Sequence, residues 1–280
     1  MVEFFALRKT RRRAKRQATA GWMWRCQSWP RLQCLLRRQN LSQRDKLHQS
    51  LPCATADFIM AIPLTNRRKK MTPPPTATRL LLIRHGEVEA TYHNKFGGTV
   101  DMNLSPNGKR QAKILADYLR GKTIDAIYAS PMKRVQQTLA PTLKLRRMPQ
   151  TIMPDLHEID FGKWTGLGWQ EVEEQFGFRS FQWLHQIEKH GVPNGESGKV
   201  FRQRIEPCLR EIIAHHPGEN VAVFCHGGVI RMMIAILLKL KLPVTNQFDV
   251  EYASVTQVAL HPHMNEIELL NFTPWRDLVG

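Results

Sequence analysis

Short runs that are apolar at every position alternate with longer amphipathic stretches after residue 75. Leu80–Ile83 is one such run and Val-Ala-Val-Phe within 220–225 is another, which is typical of strands covered on both faces. A shorter strand is predicted over 125–129. The stretch 104–121 instead has apolar residues at i, i+3, i+4 and i+7, which predicts a helix with one buried stripe formed by Ala112, Leu115, Ala116 and Leu119.

Residues at the boundaries of these elements support the pattern. Ser105 is suited to cap the first helix, Pro106 to its first position and Gly121 to its end. Ser130-Pro131 starts a second helix. The remaining pattern predicts helices over 169–190 and 197–214 and strands over 151–153, 254–261 and 265–272. Strands interleaved with helices indicate the α/β class, as a three-layer α/β/α sandwich with a mainly parallel sheet.

Two of the buried strands end in a histidine followed by glycine. Leu80–Ile83 runs into Arg84-His85-Gly86, and the strand over 220–225 runs into His226-Gly227-Gly228. A third strand is followed by Ser-Pro-Met-Lys-Arg, which places Arg134 in the first turn of the next helix. Because ligands of parallel sheets bind beyond the carboxyl ends of the strands, we expect these side chains to converge on one pocket.

The residue types in this expected pocket favour an anion. Two guanidinium groups, Arg84 and Arg134, stay protonated at any working pH and match phosphate oxygens two at a time. Backbone N–H groups at Gly227 can approach an anion closely at the start of a helix. The alternative is zinc bound by His85 and His226, with a further ligand from 157–160, but the two arginines would repel a metal cation.

The charge of the chain is concentrated before the predicted fold. The formal net charge is +17, and residues 1–70 hold 17 Lys/Arg against three acidic residues, so the remaining chain is nearly balanced. We therefore predict a basic, disordered N-terminal extension over 1–75 and one domain over 76–280. Three interpretations of the extension stay open: an arm that binds nucleic acid or anionic membrane, an organelle-targeting segment, or sequence upstream of a true start at Met60 or Met71.

Cysteine usage and hydropathy indicate the compartment. Three of the five cysteines lie in the basic extension, whereas Cys208 and Cys225 are isolated in sequence and form neither a disulfide framework nor a zinc motif. No apolar stretch reaches the ~18 residues of a membrane span. We expect a reducing, cytoplasmic location without a membrane span.

Six motifs appear in order over about 79–272, and together they resemble the histidine phosphatase superfamily, in the branch of phosphoglycerate mutases and alpha-ribazole phosphatases. The basic extension has no counterpart in this resemblance. The motifs are R-H-G-E (84–87), F-G-x-x-x-D-x-x-L-S-x-x-G-x-x-Q-A (96–112), S-P-M-K-R-x-x-Q-T (130–138), L-H-E-I-D-F-G-x-W-T-G (156–166), G-E-S (195–197) and C-H-G-G-V-I-R (225–231).

The resemblance implies a phosphoglycerate mutase-like fold and a role for each matched residue. His85 would be the nucleophile that forms a phosphohistidine, and Glu158 would protonate the leaving alcohol and then activate water. Arg84, Arg134 and His226 would hold the phosphoryl oxygens, with Gly227 beside them. The family usually continues R-H-G-x-T/S-x-x-N, whereas this chain has Val88 and Thr91 at the last two positions. Thr91 is expected to donate one hydrogen bond to phosphate.

The sequence therefore predicts a metal-independent phosphomonoesterase that needs no cofactor and hydrolyses a small phosphorylated metabolite, with alpha-ribazole 5′-phosphate as a candidate. One alternative is a phosphoglycerate mutase, which returns the phosphoryl group to a bound sugar acid through the same residues. The other is a non-catalytic interaction protein that binds nucleic acid through its basic extension. For the catalytic domain itself we expect no nucleic-acid binding.

Overall fold

A computed structural model of the chain describes residues 77–278, the side chain of Ser180 excepted. Strands and helices alternate along these residues, as the hydropathy pattern predicts. In chain order they are β1 (Thr78–Arg84), α1 (Pro106–Arg120), β2 (Ala126–Ala129), α2 (Lys133–Arg146), β3 (Thr151–Ile152), α3 (Trp169–Phe176), α4 (Trp183–Glu188), α5 (Gly198–His215), β4 (Asn220–Cys225), α6 (Gly227–Leu237), β5 (Val255–Leu260), β6 (Asn265–Phe272) and α7 (Pro274–Asp277).

The strands form one sheet in the order β3-β2-β4-β1-β5-β6. The pairs β3/β2, β2/β4 and β4/β1 are parallel, whereas β5 pairs antiparallel with β1 and with β6. The prediction of an α/β fold with a mainly parallel sheet is therefore confirmed.

Helices cover both faces of this sheet. Successive residues of β1 point to opposite faces, so Leu80 and Leu82 pack into one hydrophobic cluster and Leu81 and Ile83 into another. The first cluster includes buried side chains of α5 and α6, and the second includes those of α1 and α2. The continuous apolar run of β1 thus reflects a strand buried from two sides.

The parallel strands bring the predicted site residues to one rim of the sheet. Arg84, the last residue of β1, lies in register with Cys225, the last residue of β4. Ala129 at the end of β2 lies in register with Phe224. His85, His226 and Ser130 therefore leave three neighbouring strands at the same end.

The boundaries of α1 agree with its sequence signals, whereas two other predictions need correction. Ser105 Oγ accepts a hydrogen bond from the Gly108 N–H at 2.9 Å and so caps α1. The predicted helix over 169–190 is wrong as one element: it breaks at Gly177, where φ is +73°, into α3 and α4. The predicted strand at 151–153 shortens to two residues because only Thr151 and Ile152 pair with β2.

The predicted basic extension over 1–75 lies outside the described residues. Within 77–278, no helix combines the length and apolarity needed to cross a bilayer.

Candidate active site

A cavity of about 210 Å³ opens at the rim of the sheet beyond β1 and β4. Side chains from β1, α2 and α6 meet there with three loops of the described chain. Its wall includes Arg84, His85, Val88, Tyr92, Lys95, Phe96, Met102, Arg134, Glu158, Phe161, Trp169, Trp183, Gly227, Gly228, Arg231 and Tyr252.

His85 is buried at the base of this cavity, with only 5% of its surface exposed. Its ring Nδ1 lies 2.8 Å from the carbonyl oxygen of Gly86. A carbonyl only accepts hydrogen bonds, so in the neutral ring Nδ1 carries the proton and Nε2 keeps its lone pair. Nε2, the unprotonated nitrogen, accepts a hydrogen bond from Arg134 Nε at 3.3 Å.

His226 is fully buried beside His85, and the two rings meet edge to face with centroids 5.3 Å apart. Its Nδ1 accepts a hydrogen bond from Arg134 Nε at 3.2 Å. Its Nε2 lies 2.9 Å from Ser130 Oγ and is the protonated nitrogen of the neutral ring. Ser130 at the end of β2 thus orients a histidine at the end of β4.

Arg134 is a buried cation that joins the two histidines to the loop before α1. Its Nη1 donates to the Val100 carbonyl at 2.7 Å and its Nη2 to the Gly98 carbonyl at 3.0 Å. Burial and the neighbouring Arg84 lower its pKa to about 10, although Glu158 acts in the opposite direction. At neutral pH the guanidinium stays charged, and it holds its place through backbone carbonyls instead of a carboxylate.

Arg84 reaches the cavity from the end of β1. Its guanidinium carbon lies 4.1 Å from the centre of the Tyr252 ring, and its Nη1 donates to the Val250 carbonyl at 2.6 Å. Its Nε is buried without a hydrogen-bond partner among the described residues. A buried unpaired donor is costly, and an anionic oxygen in the cavity would satisfy it.

Glu158 lies on the cavity wall at the start of α6. Its Oε2 accepts from the Gly228 N–H at 3.2 Å, a favourable position for a carboxylate at a helix N-terminus. A Cβ on Gly228 would come within 2.4 Å of Glu158 Oε1, so the absence of a side chain lets the carboxylate approach this N–H closely. Arg204, which is ion-paired with Glu196 at 2.7 Å, donates to the carbonyls of 155, 157 and 158 and so holds the loop that carries Glu158.

The cavity is strongly electropositive. Arg84, Lys95, Arg134 and Arg231 line it against the single carboxylate of Glu158. Burial, followed by the charges of Arg134 and Arg84, holds the pKa of His85 well below its usual value, and burial with Arg134 does the same for His226. Both imidazoles are therefore neutral at pH 7. Within 77–278, no three His, Cys, Asp or Glu side chains are grouped to hold a metal ion.

The structure brings together most of the residues that the sequence singles out. Arg84, His85, Arg134, Glu158 and Gly227 line one cavity, and His226 lies directly behind His85. Two predicted residues do not line the cavity. His226 is fully buried, with its Nδ1 bonded to Arg134 and its Nε2 to Ser130, and Thr91 is exposed in the turn Ala90–Tyr92. At the other departure from the family pattern, Val88 is buried and presents an apolar surface to the cavity.

The sequence motifs predict no role for several residues of the cavity wall. Arg231 was within reach of sequence reasoning, since it lies four residues after Gly227 and therefore on the same face of α6. Lys95, Tyr92 and Tyr252 come from loops, and neither periodicity nor a motif indicates which way these side chains turn.

A family model described as histidine phosphatase superfamily (branch 1) matches residues 80–273. Phosphoserine phosphatase 1 of Hydrogenobacter thermophilus is 31% identical over 195 residues, which are 70% of this chain and 92% of that protein. The adenosylcobalamin/alpha-ribazole phosphatase of Escherichia coli is 28% identical over 194 residues, 69% of this chain and 95% of that protein.

This chain is also similar in structure to solved phosphatases. The crystal structure of a putative alpha-ribazole-5′-P phosphatase from Escherichia coli superposes with a TM-score of 0.62 at 27% identity. The superposition covers 71% of this chain and 98% of that one. The region matched by the family model, 80–273, contains every residue that lines the cavity.

Proposed function

Because the chain belongs to the histidine phosphatase superfamily (branch 1), we propose that it hydrolyses a small-molecule phosphate monoester through a phosphohistidine on His85. The observation that carries the proposal is the hydrogen bond from His85 Nδ1 to the Gly86 carbonyl. It leaves Nε2 as an unprotonated nucleophile at the base of a cationic cavity.

The proposed reaction has two steps. His85 Nε2 attacks phosphorus, the bond from phosphorus to the ester oxygen breaks, and Glu158, which has taken a proton from solvent, passes that proton to the leaving alcohol. Glu158 then takes a proton from water as that water attacks the phosphohistidine, which releases inorganic phosphate and the neutral imidazole. Arg84 and Arg134 balance the charge on the phosphoryl oxygens in both steps.

Trapping the intermediate tests this function directly. When the enzyme is mixed with a reactive monoester and quenched within milliseconds, we expect one phosphoryl group on the peptide that contains His85, stable to base and labile to acid. EDTA should leave both the adduct and the steady-state rate unchanged. An adduct on a different residue, or loss of activity in EDTA, would contradict the proposal, and transfer without release of inorganic phosphate would favour the mutase.

The outer wall of the cavity supports a proposal for the leaving group. Trp169 and Trp183 are half-buried, each at the first residue of its helix, and both line the cavity. Phe96 and Phe161 pack edge to face behind them, with ring centroids 4.3 Å from Trp169 and 5.7 Å from Trp183. Aromatic side chains that line a cavity can stack on a flat ligand. We propose an alcohol with a planar aromatic group, and alpha-ribazole 5′-phosphate fits this description.

Trp183→Ala is expected to reduce kcat/KM for alpha-ribazole 5′-phosphate about 10- to 100-fold, since stacking contributes about 1–3 kcal/mol per base. Phosphoserine lacks an aromatic group, so its kcat/KM should change less than about threefold. Both substrates are to be measured by phosphate release. Phe181→Ala, an exposed residue just before α4 that is not part of the cavity wall, is the matched control. An equal loss for both substrates would argue against stacking.

We also propose a reducing, cytoplasmic location for the enzyme. Cys208 and Cys225 are free and buried. Burial raises the pKa of the Cys208 thiol to about 11, which makes it a poor nucleophile at neutral pH.

A further inference from the structure

Gln111 is a buried polar residue in the otherwise apolar stripe of α1. Only 1% of its surface is exposed, and its neighbours in the stripe are alanine and leucine. Its side-chain oxygen accepts a hydrogen bond from the backbone N–H of Glu87 at 2.8 Å. A buried amide is costly unless it is hydrogen-bonded, and this contact satisfies the side-chain oxygen.

The peptide that Gln111 contacts is the one that orients His85. The Glu87 N–H and the Gly86 carbonyl belong to a single planar peptide group. Gln111 binds this group at its N–H, and His85 Nδ1 binds it at its carbonyl, each at 2.8 Å. Because the peptide group moves as a rigid unit, the position of the glutamine sets the direction of the carbonyl. A peptide that donates through its N–H is also a stronger acceptor through its carbonyl.

Packing around this peptide leaves little room for it to rotate. A Cβ on Gly86 would lie 2.9 Å from the Gly108 carbonyl oxygen, and a Cβ on Gly108 would lie 2.0 Å from that of Glu87. The Gly86 N–H donates to Thr138 Oγ1 of α2 at 2.9 Å. The turn after β1 is therefore held from α1 on one side and from α2 on the other.

We propose that Gln111 is a positioning residue, which holds His85 as the Nδ1–H tautomer with Nε2 unprotonated for the attack. This inference rests on the proposed function of His85 as the nucleophile. Gln111 does not line the cavity and is not expected to contact substrate. Its removal should therefore slow phosphorylation of His85 and leave substrate binding nearly unchanged.

The test uses Gln111→Met, which keeps the length of the side chain and removes the acceptor. We expect the rate of phosphohistidine formation to fall about tenfold, as for one lost hydrogen bond, with KM changed less than about twofold. Gln111→Glu keeps an acceptor oxygen and should restore most of the rate. If Gln111→Met is too unstable to purify, Gln111→Asn, whose shorter amide does not reach Glu87, should show the same loss of rate.

Gln137→Met is the matched control. Gln137 Oε1 also accepts from a backbone N–H, that of Leu104, at 2.8 Å, but this peptide does not contact His85. We expect a similar loss of thermal stability in the two methionine variants and a slower rate only at position 111. Equal rates in the two variants would overturn the inference.

The ¹⁵N resonances of the His85 ring give a readout that does not depend on turnover. In the wild type Nδ1 should carry the proton, and in Gln111→Met the Nε2–H tautomer should become detectable. If His85→Ala retained activity, the proposed function would fail, while the tautomer measurement would still test the coupling to Gln111. An unchanged tautomer in Gln111→Met would overturn the inference even if the proposed function holds.

Discussion

Replacing His85 with alanine is expected to lower kcat for phosphate monoesters by about 10⁴-fold or more, which is the usual effect of removing a covalent nucleophile. The variant keeps the electropositive cavity, so substrate should still bind. It lacks any nitrogen at the position of Nε2, so the phosphoenzyme cannot form. Phosphate release under saturating substrate measures the loss, and intact-protein mass spectrometry checks for the missing adduct.

His215→Ala is the control for this substitution. The His215 ring also bonds to a backbone carbonyl, that of Glu211 at 2.9 Å, but it lies at the exposed end of α5. We expect wild-type kinetics from this variant, and thermal unfolding should show that both variants fold. Substantial activity in folded His85→Ala would refute the assignment of the nucleophile.

Replacing Arg134 with methionine is expected to reduce kcat/KM by about 10³-fold, similar to the loss of an arginine that stabilises phosphoryl transfer. Methionine fills the buried space but offers no charge to the phosphoryl oxygens. It also removes the only side chain in the described part of the chain that donates to both His85 and His226. Initial rates over a range of substrate concentrations measure the change.

Arg134→Met should also change the pH dependence of His85 protonation in a defined direction. Burial and the positive charge of Arg134 lower the pKa of His85, so His85 in the wild type stays neutral well below pH 6.5. Without that charge the pKa rises, and His85 takes up its proton at a higher pH. The pH at which the His85 ring takes up its proton, measured by ¹⁵N NMR of the free enzyme, should therefore shift upward. Burial remains the largest cause, so the shift should be partial.

Arg146→Met is the matched control for both measurements. Arg146 lies on the same helix, α2, and its guanidinium also donates to backbone carbonyls, those of Leu119 at 2.8 Å and Lys122 at 3.0 Å. It is remote from the cavity wall, so we expect wild-type kinetics and an unchanged titration of His85. If the two variants behaved alike, the effect at Arg134 would be one of folding and not of charge.

Much of the fold was predictable because its signals are local. The helix α1 has a capping serine, a proline at its first position and a buried stripe at helical spacing, all within sixteen residues of sequence. The runs Leu80–Ile83 of β1 and Val221–Phe224 of β4 are apolar at every position because helices cover both faces of the sheet. The break at Gly177 was missed because the apolar spacing of α3 and α4 continues across a glycine that adopts a left-handed conformation.

The sequence is sufficient to predict which side chains converge on the site. Arg84, His85 and His226 stand at strand ends, and the direction of a parallel sheet is enough to bring them to one rim. The place of Arg134 in the first turn of the next helix predicts that its side chain reaches the same rim. The motif that contains Glu158 predicts that this residue belongs to the site, and both residues line the cavity.

The orientation and hydrogen bonding of these groups are visible only in the folded protein. The tautomer of His85 depends on a peptide held by Gln111, and the position of Arg134 depends on the carbonyls of Gly98 and Val100. The loop that carries Thr91 turns that residue outward, away from the cavity. Contacts of this kind join residues far apart in the chain through backbone groups, which are the same for every residue type and leave no pattern in the sequence.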